Sequence, residues 1–88
     1  MEVTYLKSLE KDLKKIKDRK LLKSLATIFI DLEKSESLIE VSGIKKLSGH
    51  SDAYRIILGD YRLGVYYSED IISIARFKKR EDIYKLFP

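Results

Sequence analysis

Three apolar runs near the C-terminal end, separated by two short turn signals, restrict the folds open to this chain more than any other feature. The runs are Tyr54 to Leu58, Tyr61 to Tyr67 and Ile71 to Phe77. They are rich in β-branched and aromatic residues, which favour strands. The segments between them, Gly59-Asp60 and Ser68-Glu69-Asp70, have the length and composition of β-hairpin turns. The sequence therefore predicts an antiparallel meander of three strands.

The N-terminal half follows a helical period instead. A short β-prone segment, Val3 to Leu6, precedes Ser8, which we predict to be the N-cap of a first helix. Asp18 is the predicted cap of a second helix. The apolar positions of the first helix, at i, i+4 and i+7, are Leu9, Leu13 and Ile16. Those of the second, which keep a 3.6-residue period over three turns, are Leu21, Leu22, Leu25, Ile28, Phe29 and Leu32.

The remaining segments have weaker patterns. "EKSES" after the second helix predicts a loop, and "LIEVSGIKKLSGHSDAY" predicts a connection with room for one brief strand. The charged segment Lys78 to Lys85 is predicted to form one last helical turn. The order of elements indicates an α+β fold, in which an antiparallel helix hairpin packs on one face of a small, mostly antiparallel sheet. We expect residues 1–88 to form a single domain whose opposite sheet face is left to water or to a partner.

Composition excludes several classes of site. The chain has no cysteine and one histidine, so it offers neither a disulfide framework nor a thiolate or multi-histidine metal site. No apolar run approaches the roughly 20 residues that a membrane span requires. The N-terminal segment "MEVTYLKSLEKDLKK" is interrupted by charge and does not resemble a secretory signal. We expect a soluble cytoplasmic protein with no metal, no cofactor and no membrane partner.

The arginines inside the strand runs are the unusual feature. Arg55 and Arg62 lie on adjacent antiparallel strands of the predicted meander. Alternation along each strand puts them on one face and most of the apolar side chains of these two strands on the other. The third run is apolar on both faces, so alternation leaves the face of Arg76 open. Solvated arginines with packed stems are one interpretation. Like charges that face each other on a sheet are unfavourable, however, and guanidinium groups match phosphate oxygens, so the pattern also indicates an anion-binding surface. Lys78, Lys79 and Arg80 follow closely in sequence.

Two blocks of the sequence resemble the RelE/ParE toxin superfamily. They are "KKLSGHSDAYRIILGDYRLGVYY" and "IARFKKREDIY", of which the GDYR turn with its flanking strands is the more specific. The resemblance covers nearly the whole chain and includes Lys11-Asp12-Leu13 in the first predicted helix. It implies the toxin of a type II toxin–antitoxin pair. A RelE-like toxin cleaves mRNA in the ribosomal A site, where a 2′-hydroxyl attacks the adjacent phosphate without a metal.

The resemblance also implies roles for individual residues. Arg62 matches the strand arginine that contacts the phosphate, and Arg80 matches the arginine that stabilises transition-state charge. Arg55 matches a basic position that is often lysine. Tyr84 lies where a tyrosine can stack on a base or take part in proton transfer. The residues implied to hold RNA are Lys46, Lys78 and Lys79, with Tyr66 as a base contact because it shares the alternation of Arg62.

The sequence departs from the family at two positions. Ile57 stands where a second basic residue is usual, and Lys79 where many relatives have histidine. We hypothesise that Lys79 acts as the general base, with a pKa lowered by neighbouring cations and burial. His50 is interpreted as an ordinary loop residue, since its glycine and serine neighbours suggest no fixed orientation. The remaining tyrosines of the first two strands are expected in the core: Tyr54, Tyr61 and Tyr67.

Three functions remain open at the level of sequence. The first is a ribosome-dependent endoribonuclease, which Arg62, Arg80 and Tyr84 favour. The second is a ParE-like inhibitor of DNA gyrase, and the third is a non-catalytic module that binds only an antitoxin. All three imply a cognate antitoxin, acidic and helical or extended, that wraps the toxin in a heteromeric complex. The first also implies the ribosome and mRNA as partners.

Overall fold

The computed structural model describes residues 1–88 and has a five-stranded sheet with helices on both faces. The helices are α1 (Lys7–Lys14), α2 (Arg19–Lys34) and α3 (Arg80–Leu86), with a 3₁₀ turn at Leu38–Glu40. The strands are β1 (Glu2–Tyr5), β2 (Ile44–Lys46), β3 (Ala53–Leu58), β4 (Tyr61–Ser68) and β5 (Ile71–Lys79). Their order in the sheet is β1-β5-β4-β3-β2, with β1 parallel to β5 and every other pair antiparallel. The predicted α+β fold is confirmed.

The strand meander lies where the apolar runs predicted it. Leu58 pairs with Tyr61 and Ser68 pairs with Ile71, so each connection is a two-residue turn. The second turn consists of Glu69 and Asp70, which both adopt positive φ, 51° and 64°. Two consecutive left-handed residues match the twist of a β-hairpin, and acidic or amide side chains tolerate this conformation.

The helix termini agree with the sequence at one position and differ at another. Asp18 caps α2 as predicted, since its Oδ1 accepts hydrogen bonds from the N–H groups of Lys20 and Leu21 at 3.0 and 3.2 Å. The prediction that Ser8 caps α1 was wrong. Helix α1 begins at Lys7 with Leu6 at the N-cap position, and the Ser8 hydroxyl instead donates to the Ala75 carbonyl at 2.6 Å. That hydroxyl fastens α1 to the sheet, which is a tertiary contact that local patterns do not contain.

The main core lies between the helix pair and the sheet. Its buried members come from both helices, from the three long strands and from the residue after the 3₁₀ turn, and Tyr61 stacks on Phe77 at its margin with ring centroids 4.9 Å apart. The buried residues are Leu9, Leu25, Leu32, Val41, Ile56, Leu63, Val65, Ile72, Ile74 and Phe77.

A second, smaller core on the other face corrects the expectation that this face is uncovered. Ile83 of α3 and the following Phe87 are buried there against Ala53 and Ala75. The Phe87 ring lies directly over β4, at a glycine, Gly64, whose missing side chain leaves the space. Because β5 is apolar on both faces, it needs a cover on each side. The predicted last helical turn is a helix of seven residues that provides it.

A β-bulge in β5 decides which residues face which core. Gly64 pairs with Arg76 and Val65 pairs with Ile74, so Ala75 has no partner of its own on β4. The extra residue shifts the alternation, which is the usual effect of a bulge. Ile74 and Phe77 therefore both reach the main core although they are three residues apart. None of the helices α1, α2 and α3 has the length and hydrophobicity that a membrane-spanning helix requires.

Candidate nucleic-acid interface

Strand pairing brings three cations together on the face of the sheet that carries α3. Arg62 of β4 pairs with Lys78 of β5, and Arg55 of β3 lies one pleat further along, opposite Gly64. Directly paired residues of antiparallel strands project from the same face, so these side chains form a row across three strands. We call Arg55, Arg62 and Lys78 the basic row. The expectation that Arg55 and Arg62 share a face on adjacent strands is confirmed.

Neither arginine of the basic row has a carboxylate partner. Arg55 Nη1 donates to the Gly43 carbonyl at 2.8 Å, and Arg62 Nη1 donates to the carbonyls of Gly59 and Tyr61, both at 2.9 Å. These bonds hold the two guanidinium groups in place without neutralising them. A guanidinium group has five donors, so both residues keep N–H groups for an anion.

Arg76, whose face the sequence left open, is paired with Asp12 of α1. Its Nε and Nη2 donate to the two carboxylate oxygens at 2.9 and 3.1 Å. The same carboxylate accepts the Phe77 N–H at 3.0 Å and has Lys78 Nζ at 3.3 Å. With its side chain only 3% exposed, Asp12 is the acidic member of both salt bridges in the protein. Arg76 is thus neutralised, and Lys78 is held at the end of the basic row.

Helix α3 brings the predicted Arg80 and Tyr84 to the same face. Arg80 is the first helical residue, and its N–H donates to the Asp60 carbonyl at 2.7 Å, which ties the start of α3 to the β3–β4 turn beside Arg62. Both side chains are exposed, Tyr84 to 54%. Residues four apart in a helix lie on one side of it, so Tyr84 follows Arg80 along α3.

Three other predicted RNA contacts lie elsewhere. Lys46 pairs with Tyr54, and Lys79 pairs with Tyr61. Both lysines therefore have the register of the sheet face that packs on α1 and α2. Tyr66 is on the α3 face, but its ring packs on Phe87 with centroids 4.9 Å apart and is half-buried. The structure therefore does not bring these three side chains into the basic row.

Sequence reasoning missed two residues of this region. Lys45 pairs with Arg55 and thus has the register of the basic row, one position from the predicted Lys46. Its three-residue strand was too short to show alternation in the sequence. Asp12 was noticed only as part of the family pattern, because nothing local indicates a carboxylate that pairs with residues 64 positions later.

Comparisons with known proteins give a consistent picture. No protein-family model matches the sequence. The chain is 35% identical over 89 residues to "Toxin RelE3" of Methanocaldococcus jannaschii, with all of both proteins covered.

Solved structures resemble the whole chain as well. A chain of the RelB-RelE antitoxin-toxin complex from Methanococcus jannaschii superimposes with a TM-score of 0.82 at 33% identity, covering 97% of this chain and 99% of that one. A chain of the archaeal RelE-RelB complex from Pyrococcus horikoshii OT3 gives 0.71 at 26% identity, covering 93% and 97%. By the full-length identity and the shared fold, the chain belongs to the RelE toxin family.

Proposed function

We propose that this protein is the toxin of a type II toxin–antitoxin pair and acts as a ribosome-dependent endoribonuclease on mRNA in the A site. One observation carries the proposal: Arg55 and Arg62 are fixed on one sheet face, diagonally across adjacent strands, with no carboxylate partner. Full-length identity to a protein named as a RelE toxin supports it. The proposal places the protein in the cytoplasm, where ribosomes and mRNA are.

The reaction that fits this surface is an internal transfer at phosphorus. The 2′-oxygen of one nucleotide forms a bond to the adjacent phosphorus, and the bond from phosphorus to the 5′-oxygen of the next nucleotide breaks. The 2′-hydroxyl loses its proton to a base or to water, and the leaving 5′-oxygen gains one. Negative charge builds on the phosphoryl oxygens in between, so fixed cationic donors lower the barrier.

Each residue of the interface has a role in this proposal. Arg62 binds the scissile phosphate through the N–H groups that its main-chain contacts leave free. Arg80 adds positive charge for the transition state from the start of α3. Arg55 and Lys78 hold the neighbouring backbone, and Tyr84 contacts a base. Lys79 is not needed as the general base, since its register directs it to the face of Tyr61.

The test is primer extension on a defined mRNA in purified translating ribosomes. Wild type is compared with Arg62→Ala and Arg80→Ala, each of which is expected to lose about 10²- to 10³-fold in cleavage rate. Arg19→Ala is the matched control, because Arg19 is an exposed arginine at the start of α2 in the helix layer. Lys79→Ala is expected to cleave at nearly the wild-type rate.

Two results would contradict the proposal. Intact mRNA with wild-type protein would reject the nuclease function and lead next to a gyrase supercoiling assay. Cleavage that persists in both arginine variants would support the nuclease function but show that Arg62 and Arg80 do not contribute to it.

The proposed partner is an acidic antitoxin that covers the basic row. Solved relatives of this chain are complexes of RelE with RelB. The net charge of +4 and the unpaired arginines would speed association with an acidic chain. Co-expression with the neighbouring gene is expected to yield a heteromeric complex, and a toxin that elutes alone would count against it.

A further inference from the structure

A pocket lies between the β2–β3 connection and α3, beside the basic row. We call it the turn–helix pocket. Its volume is about 320 Å³, at the lower end of the roughly 300–1,000 Å³ that small-molecule sites occupy. The residues that line it are Leu47, Ser48, His50, Tyr84, Phe87 and Pro88.

The wall that carries His50 is a defined turn. The His50 N–H donates to the Leu47 carbonyl at 3.3 Å, and Gly49 between them has φ +79°. This is the pattern of a type II turn, in which the third residue adopts positive φ and is usually glycine. The Leu47 N–H donates to the Ala53 carbonyl at 2.9 Å, which fastens the turn to β3. The turn therefore fixes the backbone position of His50.

The opposite wall is equally well held. Ile83 and Phe87 of the α3 segment are buried, with 0% and 2% exposure, so the residue between them cannot rotate away with the helix. Tyr84 projects from this anchored turn and keeps half of its surface exposed. An exposed aromatic ring on an anchored backbone is a platform for stacking.

The chemistry of the lining fits a nucleobase. A base needs an aromatic surface for its face and groups that both donate and accept hydrogen bonds for its edge. Tyr84 supplies the first, and the His50 imidazole and Ser48 hydroxyl supply the second. No lysine or arginine lines the pocket, so its chemistry does not match a phosphate.

The pocket adjoins Arg80 on one side and the basic row on the other. Tyr84 is four residues after Arg80, one turn along α3. On the other side, Phe87 lines the pocket and lies against Gly64, which pairs with Arg55 and follows Arg62 by two residues on β4. RNA whose phosphate lies on Arg62 can therefore direct an adjacent unpaired base into the pocket.

We propose that the turn–helix pocket receives the unpaired base next to the scissile phosphate, with Tyr84 stacked on the base and the His50 imidazole hydrogen-bonded to its edge. His50 is then a specificity-determining residue, which sets the base preferred at the cut. This inference rests on the proposed nuclease function.

Binding can be tested without cleavage because His50 is the single histidine, so its imidazole protons report on the pocket alone. The full-length toxin is titrated at fixed pH with four 2′-O-methyl RNA trinucleotides that differ in the central base and cannot be cleaved. The His50 resonance is expected to shift on binding. The affinities obtained from this shift are expected to differ about tenfold between the best and the worst base. Fluorescence anisotropy of the same trinucleotides, carrying a dye, measures the affinity ratio in the variants: His50→Ala should reduce it towards one, whereas Ser51→Ala, an exposed neighbour outside the pocket, should preserve it.

Cleavage provides the second measurement. Primer extension on ribosome-bound mRNA should give cuts at a wider set of codons with His50→Ala than with wild type. An unmoved His50 resonance together with an unchanged cut distribution would overturn the inference while the nuclease function stands. A base-dependent shift without any cleavage would retain the pocket and reject the nuclease function. Neither shift nor cleavage would reject both.

Discussion

At the scale of single residues, Asp12 has the largest structural role of any charged side chain. Its carboxylate receives the Arg76 guanidinium group, the Phe77 N–H and the Lys78 ammonium group. Strand β1 pairs with β5 only as far as Ile74, so the edge of β5 beyond that point has no neighbouring strand. The Asp12 carboxylate accepts the Phe77 N–H at this edge. The edge is therefore not an open template for pairing with another strand.

Asp12→Ala is expected to destabilise the fold by about 3 kcal/mol, because it leaves a backbone N–H and Arg76 without their partner. The value is at the lower end for a broken buried pair, since Arg76 and Lys78 are 24% and 23% exposed and water can screen them. Urea unfolding measures the change. The control is Asp31→Ala at an exposed position of α2, where a change within about 0.5 kcal/mol is expected. Equal effects of the two substitutions would contradict the role assigned to Asp12.

A second residue-scale prediction concerns alkaline pH. The Tyr67 hydroxyl donates to Asp70 Oδ1 at 2.9 Å, and this hydrogen bond, followed by burial and the nearby negative charge, raises the pKa of Tyr67. A raised pKa in the folded state means that the unfolded chain releases the proton first as pH increases. The stabilisation is therefore complete below about pH 10 and is lost as pH rises through the raised value.

Comparison of unfolding midpoints in urea at about pH 9 and about pH 11 measures this effect. The decrease on going to the higher pH is expected to be smaller in Tyr67→Phe than in wild type. Asp70→Asn should reduce it as well, because asparagine keeps the positive φ of 64° at this turn but removes the charge. Equal decreases in all three proteins would show that this pair does not set the pH dependence.

At the scale of elements, the contact between β4 and the end of α3 depends on a glycine. A Cβ at Gly64 would lie 2.7 Å from two ring carbons of Phe87, closer than side chains pack. The backbone of Gly64 does not adopt positive φ, so the requirement is for space and not for an unusual conformation. The glycine lets the Phe87 ring contact β4 between Arg62 and Tyr66.

Gly64→Ala is expected to destabilise the protein by about 1–3 kcal/mol, because Phe87 must leave its site. Truncation of the ring removes the clash, so Gly64→Ala combined with Phe87→Ala should be no less stable than Phe87→Ala alone. Unfolding of the two single variants and the double variant forms a mutant cycle with a large coupling energy. Additive effects would mean that the ring does not occupy the space above Gly64.

At the scale of the whole molecule, only two of the positively charged side chains have a carboxylate partner within the protein. The chain has 18 lysines and arginines against 14 acidic residues, yet both salt bridges converge on one carboxylate. Arg55 and Arg62 of the basic row therefore keep their charge for an external anion. Charges in the helix layer contribute to the same net value but lie on the other side of the sheet.

The salt dependence of RNA binding distinguishes the cations of the basic row from those of the helix layer. For a single-stranded, non-cleavable RNA, each lost phosphate contact reduces the slope of log affinity against log salt by about 0.7. Arg62→Ala and Lys45→Ala are expected to show this reduction, whereas Arg19→Ala is not. Lys46→Ala is the closest control for Lys45, because the adjacent residue has the opposite register.

Equal slopes for Lys45→Ala and Lys46→Ala would contradict the assignment of the face by register. A reduced slope for Lys46→Ala alone would support the contact between Lys46 and RNA that the family resemblance implied.

The sequence by itself determined the order of elements, the bounds of the long strands to within two residues, and the shared face of Arg55 and Arg62. These features follow from local periods and turn residues, which act over a few positions of the chain. Only the tertiary structure decided that Ser8 bonds the sheet instead of capping α1, that Asp12 neutralises Arg76, and that α3 covers the second face of the sheet. It also decided that Lys45 and not Lys46 has the register of the basic row. The physical reason is that each of these outcomes joins residues far apart in sequence, through a bulge, a sheet edge or a short edge strand, and no local pattern records such a partner.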